Sequence, residues 1–331
     1  MKIIDAHCHV ASLDHVPKSF IEGALANIEA QFIAHGVSVS RRRLLDTYLA
    51  QMQDPLCDVL VEQMDQAGIA QSIILAPDFT YFLKDCSLTI EETFLACRKI
   101  RARHPQRLEV FGGMDPRWGR DGLDLFERSL SEFGFRGFKV YPPCGFSPSA
   151  PELLPFYEIC AQYRVPVVVH IGPTSPVFGF HLTSPFLVDE AARQFPTVNF
   201  ILAHGSVNFS EECVMLCKFR PNIYLDLSAF QSMQGTNSPA DAVKRVVSQG
   251  INHKVIFGTD WPVFRLQGDQ ASFVQAIASE SGPLSELNDK ERSLILYQNA
   301  ERLLESARRV NRDTLNMDQS LPAELHETAV S

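Results

Sequence analysis

Short apolar segments recur along the chain at 2–6, 72–76, 108–113, 135–141, 165–171, 198–204, 222–228 and 254–260. They are rich in Val, Ile and Phe and mostly lack a polar face, as expected of parallel strands covered on both sides. Helix-like stretches lie between them at 89–104, 121–132, 151–163, 184–195, 208–218 and 239–249. Ser149-Ala150-Pro151-Glu152 and Ser184-Pro185 read as helix starts, a cap residue with proline in the first turn. Strand followed by helix, eight times, predicts an α/β fold of the (β/α)8 TIM-barrel type. No Gly-x-Gly-x-x-Gly follows a strand, which disfavours a doubly wound dinucleotide fold.

The spacing has one large irregularity, because the first two strands are about 65 residues apart and later ones mostly 25–35. The excess, roughly 11–57, follows the first strand and would emerge on the catalytic face as a cap with helices near 18–34 and 40–52. A last helix is expected at 288–305, so the barrel with its cap spans 1–305, and the aperiodic 306–331 reads as a C-terminal tail.

Several of these segments end on residues that chelate or move protons. The first runs Asp5-Ala6-His7-Cys8-His9, where alternation puts His7 and His9 on one face. Others end at His170, His204 and Asp260. In a barrel, the ends of strands one, five and eight share a mouth, so His7, His9, His170 and Asp260 can converge on one divalent ion and leave a position open. Such a metal brings the pKa of bound water to about 7. Asp260 could both hold the ion and take a proton. His204 could be a further ligand or an acid/base group beside it.

Lys139 sits at the end of the fourth segment, one β/α unit before His170. Three readings stay open for it: a carbamylated bridge to a second ion, a cation for a substrate carboxylate, or a lysine paired with a nearby acid. Arg117 and Trp118 after the third strand, Phe178 and His181 after the fifth, and Arg265 after the eighth lie in loops on the same face and are candidate substrate contacts. His15, His35, His104, His253 and His326 fall in loops or helix ends and are expected to face solvent.

Net charge is -9, which argues against nucleic acid, and Arg41-Arg42-Arg43 reads as a solvated helix face. No stretch approaches the ~20 apolar residues of a membrane span. With no signal-like start and eight cysteines lacking a CxxC pair, the chain is expected to be cytoplasmic with reduced thiols. Cys213 and Cys217, four apart on a helix, are expected in the core.

Taken together, Asp5-Ala6-His7-Cys8-His9, Gly137-Phe138-Lys139, Val169-His170, Leu202-Ala203-His204-Gly205 and Gly258-Thr259-Asp260-Trp261-Pro262 resemble the amidohydrolase superfamily. The likeness is to the group that includes aminocarboxymuconate semialdehyde decarboxylase. It implies one divalent ion, often zinc, on His7, His9, His170 and Asp260, with manganese, iron or cobalt as alternatives. It also implies that His204 handles protons and that the chain forms a homodimer. Members hydrolyse C–N or C–O bonds, lactones included, or decarboxylate aromatic and unsaturated acids. Lys139 departs from the decarboxylase pattern, so the expected activity is hydrolysis of a small carboxylated or cyclic compound, with non-oxidative decarboxylation as the alternative.

Overall fold

The structure is a computed structural model that describes residues 1–232 and 239–307. Its main sheet has eight parallel strands: β1 (Ile4–Cys8), β4 (Gln71–Ala76), β5 (Leu108–Gly113), β6 (Gly137–Val140), β7 (Val167–His170), β8 (Phe200–Ala203), β9 (Ile223–Asp226) and β10 (Val255–Ile256), paired in that order. A separate antiparallel pair, β2 (Ala11–Ser12) with β3 (Gln53–Asp54), follows β1.

The sheet closes into a barrel. The Ala6 amide donates to the Phe257 carbonyl (2.9 Å), Asp260 to that of His7 (2.8 Å) and His9 to that of Trp261 (2.7 Å). Asp5 reinforces the seam: its buried carboxylate accepts from Thr259 N (2.9 Å), Thr259 Oγ1 (2.6 Å) and Gln270 Nε2 (2.9 Å). The last strand is shorter than the expected 254–260, because residues 257–260 turn from β9 to bond β1 instead.

Strand alternation builds two cores. Ile4, Ala6, Ile73, Leu75, Phe111, Val168, Ile201, Ala203, Tyr224 and Ile256 fill the barrel interior. Phe138, Val167, Val169, Phe200 and Leu225 face outward, into the layer under the helices, where Phe138 stacks on Phe156 at 5.5 Å. Cys213 and Cys217 lie in that layer, buried as free thiols. The C-terminal helix, residues 299–307, closes the opposite end, with Ala300, Leu303 and Leu304 joining the interior cluster.

Helices alternate with the strands: α3 (Asp58–Ala67), α4 (Ile90–Arg103), α5 (Gly119–Ser131), α6 (Leu154–Tyr163), α7 (Asp189–Gln194), α8 (Ser210–Phe219), α9 (Pro239–Val247) and α10 (Gln270–Ala278). Ser149 does not cap the helix it precedes. Its hydroxyl donates to the Leu187 carbonyl (2.6 Å) and accepts from the Ala191 amide (3.1 Å), serving the start of α7. The segment expected at 184–195 begins as a 3-10 turn, Pro185–Val188, before α7. Residues 288–305 divide into α11 (Asp289–Ser293), a π turn (Leu294–Gln298) and the final helix.

The insertion after β1 carries α1 (Lys18–Ala34) and α2 (Arg41–Leu49), with β2 and β3 at its neck. Only Ile21 and Leu25 of α1 are buried and none of α2, so these helices form a cover over the barrel mouth rather than part of its core. Most of the expected tail, 308–331, lies outside the described residues. No described helix is long and apolar enough to cross a membrane.

Candidate metal centre

Chain ends of parallel strands open onto one mouth, and six polar residues meet there: His7 on β1, His9 just beyond it, Lys139 on β6, His170 on β7, His204 after β8 and Asp260 after β10. Donor atoms of His7, His204 and Asp260 lie within 4.8 Å of one another. The ring of His9 is 5.2 Å from that of His7, and the ring of His170 is 4.9 Å from that of His204. Strand ends bring the side chains in, but the backbone must bend to hold them. His204 (φ 62°) and Asp260 (φ 57°) both occupy the left-handed region, which is uncommon outside glycine, although Asp and His enter it more readily than most side chains. Gly258 is equally constrained, because a Cβ there would lie 2.8 Å from His7 Cβ.

Tautomers follow from the acceptors around each ring. His9 Nδ1 is 2.8 Å from the Leu75 carbonyl and His7 Nδ1 is 2.8 Å from the Asp226 carboxylate, groups that only accept. Each neutral ring therefore carries its proton on Nδ1 and presents Nε2 as a bare lone pair. Both lone pairs face a third acceptor, since Asp260 Oδ1 is 3.1 Å from His9 Nε2 and 3.5 Å from His7 Nε2. His7 Nε2, His170 Nε2 and Asp260 Oδ1 are buried with no hydrogen-bond partner among the described residues. Converging bare acceptors repel one another unless a cation lies among them. This imidazole and carboxylate set fits a divalent ion.

Electrostatics agree. Burial, then Lys139, pushes the His7 imidazolium well below its usual range, and burial with His204 and Lys139 does the same to His170. Burial also lowers His204, against the pull of Asp260 and Asp226. Burial alone would raise the Asp260 carboxyl, but His7, His9 and His204 overcome it and hold the group at about 2. The shifts favour neutral His7, His170 and His204 and an ionised Asp260, the states a metal requires. Lys139 is buried with Nζ unpartnered, and burial lowers it to about 8 although Asp226 and Asp260 pull the other way.

Above these groups lies a cavity of about 520 Å³ lined by His9, Lys139, His170, His204 and Asp260 at its polar end. Phe79, Tyr141, Val263 and Phe264 wall it from the barrel loops. Phe20, Ala24 and Ile28 of α1 wall it from the cap, with Tyr48 and Met52 beside them.

The loop residues expected to touch substrate do not line this cavity. Arg117 donates to the Asp115 carboxylate (Nε–Oδ1 2.8 Å) and to the Cys144 carbonyl (2.8 Å), and lies 4.4 Å over the Tyr81 ring. Trp118 Nε1 donates to Asp78 (2.9 Å). Arg265 donates to the Gln51 carbonyl (2.5 Å) and sits 5.2 Å over Trp261. Phe178 packs behind the wall against Phe79 and Tyr141, and His181 is exposed. A strand-end address alone did not separate residues that face the mouth from residues that brace the loops.

His15, expected in solvent, lines the cavity, and burial lowers it to about 4. Asp226 and Ser228 went unread although their signal was present. Tyr224-Leu225-Asp226-Leu227-Ser228 ends a strand with polar residues at i and i+2, the same alternation as His7 and His9.

A family model described as amidohydrolase matches residues 4–305. The chain belongs to the amidohydrolase family. Among solved structures, an uncharacterized TIM-barrel protein from Bordetella bronchiseptica is 17% identical, covering 93% of this chain and 99% of its own, with a TM-score of 0.67. The 4-oxalomesaconate hydratase of Rhodopseudomonas palustris is 15% identical, covering 96% and 99%, with a TM-score of 0.60. A 5-carboxyvanillate decarboxylase from Novosphingobium aromaticivorans, solved with manganese and 3-methoxy-4-hydroxy-5-nitrobenzoic acid, is 13% identical, covering 92% and 96%, with a TM-score of 0.62. These likenesses share the fold. No curated protein matches the chain. As a member of this family the protein is a metal-dependent enzyme.

Proposed function

We propose that this amidohydrolase-family enzyme hydrolyses an amide, lactone or related bond in a small carboxylated or cyclic compound. The observation that carries the reading is the set of unpartnered acceptors on His7, His170 and Asp260 beside the unpartnered Lys139 ammonium, with His170, Asp260 and Lys139 lining the polar end of one largely apolar cavity. When bound, a divalent ion, zinc on this nitrogen-rich set or manganese, iron or cobalt in its place, would supply Lewis-acid activation of water and of a carbonyl. His7, His9, His170 and Asp260 would hold it, with His204 close enough to contribute.

The remaining chemistry belongs to the chain. Asp260, ionised and open to the cavity, accepts the proton of the attacking water. His204, with Nδ1 engaged by Ser228 Oγ at 2.8 Å, turns a bare Nε2 toward the substrate, takes up the proton that Asp260 has accepted and delivers it to the leaving group. Lys139 pairs with a substrate carboxylate, which compensates its own buried charge. The aromatic and aliphatic walls take the substrate body and exclude water.

A second reading, non-oxidative decarboxylation, is favoured by the contiguous aromatic wall of Phe20, Phe79 and Tyr141 in the cavity that Lys139 also lines, which suits a flat carboxylated ring. Isotope tracing separates the two. The metal-loaded enzyme is assayed in ¹⁸O-labelled water against lactones, amides and carboxylated phenols. Label in the product acid with no CO2 release is the expected result. CO2 release with deuterium incorporated at carbon in heavy water would replace hydrolysis by decarboxylation.

A further inference from the structure

Asp226 and Ser228 lie beneath the mouth, and every proton around them has a place. Asp226 Oδ2 accepts from His7 Nδ1 at 2.8 Å. Asp226 Oδ1 accepts from the backbone amides of His204 (2.8 Å) and Ser228 (3.0 Å), and from the Ser228 hydroxyl in a very short contact. With its hydrogen committed to that carboxylate, Ser228 Oγ is left as an acceptor. It stands 2.8 Å from His204 Nδ1 and 3.0 Å from His7 Nδ1. The two rings are 4.7 Å apart. Ser228 is fully buried, so no bulk water substitutes for it.

We propose that Ser228 and Asp226 form one positioning unit that fixes the tautomers of His7 and His204 together, so that both rings present Nε2 as a bare acceptor to the mouth. Asp226 is the primary acceptor for His7 and holds the left-handed backbone of His204. Ser228 is the sole side-chain acceptor within reach of His204 Nδ1 among the described residues. The unit therefore joins a residue that holds the ion to a residue that handles protons, through one carboxylate and one hydroxyl. Neither touches substrate; both act through the rings, as outer partners of metal-bound histidines do.

The inference rests on the mouth being a metal site, but its decisive readout does not. The ¹⁵N shifts of His7 and His204 are measured on the full-length, metal-free protein, labelled at histidine and assigned by single substitutions. In wild type both rings should show Nδ1–H. In Ser228→Ala, His204 loses its acceptor and should move its proton to Nε2, while His7 keeps Nδ1–H on Asp226. An unchanged His204 tautomer in Ser228→Ala, or an Nε2–H form of either ring in wild type, overturns the proposal.

Zinc titration supplies the second readout. Asp226→Asn should weaken affinity by about 10–100-fold, the usual cost of removing such an outer partner. Ser228→Ala should weaken it by less than ~10-fold, because His7 retains its carboxylate. Equal zinc affinity in wild type and Asp226→Asn overturns the role given to Asp226. If wild type binds no zinc, manganese or cobalt, the proposed function fails while the tautomer result still decides the positioning unit.

Discussion

Two polar clusters share the rim of this barrel, and they differ in what they leave unpaired. In the first, His7, His9, His170, His204, Asp260 and Lys139 converge with bare nitrogens, a bare carboxylate oxygen and an unpaired ammonium. In the second, Asp78, Asp115, Arg117 and Trp118, every charged group finds a partner. Asp115 takes the Arg117 guanidinium, and Asp78 takes the Asp115 amide (2.9 Å), the Thr80 hydroxyl (2.6 Å) and the Trp118 indole (2.9 Å). Buried polar groups ordinarily satisfy one another. A cluster that does so braces loops, and one that does not is waiting for a ligand.

The largest effect should come from the open cluster. Asp260→Asn removes both the proposed metal ligand and the proposed proton acceptor, and turnover should fall ~10³-fold or more while thermal unfolding stays cooperative. Substantial residual turnover would move the base elsewhere.

Lys139→Met should lower kcat/KM for an anionic substrate by roughly 10²-fold, the worth of a charged hydrogen bond. Unlike most core substitutions it should stabilise the metal-free protein. Folding lowers the ammonium from 10.5 to about 8, so the buried charge costs about 3 kcal/mol. Because the folded value lies below the unfolded one, that cost is present in full below about pH 8 and is relieved as pH rises toward 10.5. Denaturant unfolding of wild type and variant should therefore converge across this window. A difference independent of pH would mean that Lys139 is already neutral or paired.

The closed cluster should answer in reverse. Arg117→Met strands the buried Asp115 carboxylate and should cost about 2 kcal/mol of stability with kcat nearly unchanged. A large loss of kcat at full stability would return Arg117 to the substrate site. His181→Ala, on an exposed ring outside the cavity, should change stability by less than about 0.5 kcal/mol and leave kcat/KM unaltered.

The same comparison explains what the chain revealed in one dimension. The barrel was legible because parallel strands buried on both faces read as continuous apolar runs, and because their spacing exposed the cap. His7, His9, His170, His204 and Asp260 were legible because each closes such a run. Arg117, Trp118 and Arg265 carry the same address, and only the partners they find in space separate bracing from binding. Asp226 and Ser228 had the alternation of His7 and His9 but no residue type that draws attention to itself. The cap wall was out of reach because Phe20, Ala24 and Ile28 gain meaning only where α1 crosses the mouth.

The most direct test is the metal content of the purified wild-type chain beside Asp260→Asn and Arg117→Met, by plasma mass spectrometry. Bare acceptors in one cluster and satisfied ones in the other predict about one divalent ion per chain in wild type and Arg117→Met, and a marked loss in Asp260→Asn. No metal in wild type after supplementation, or equal metal in all three proteins, would contradict the account.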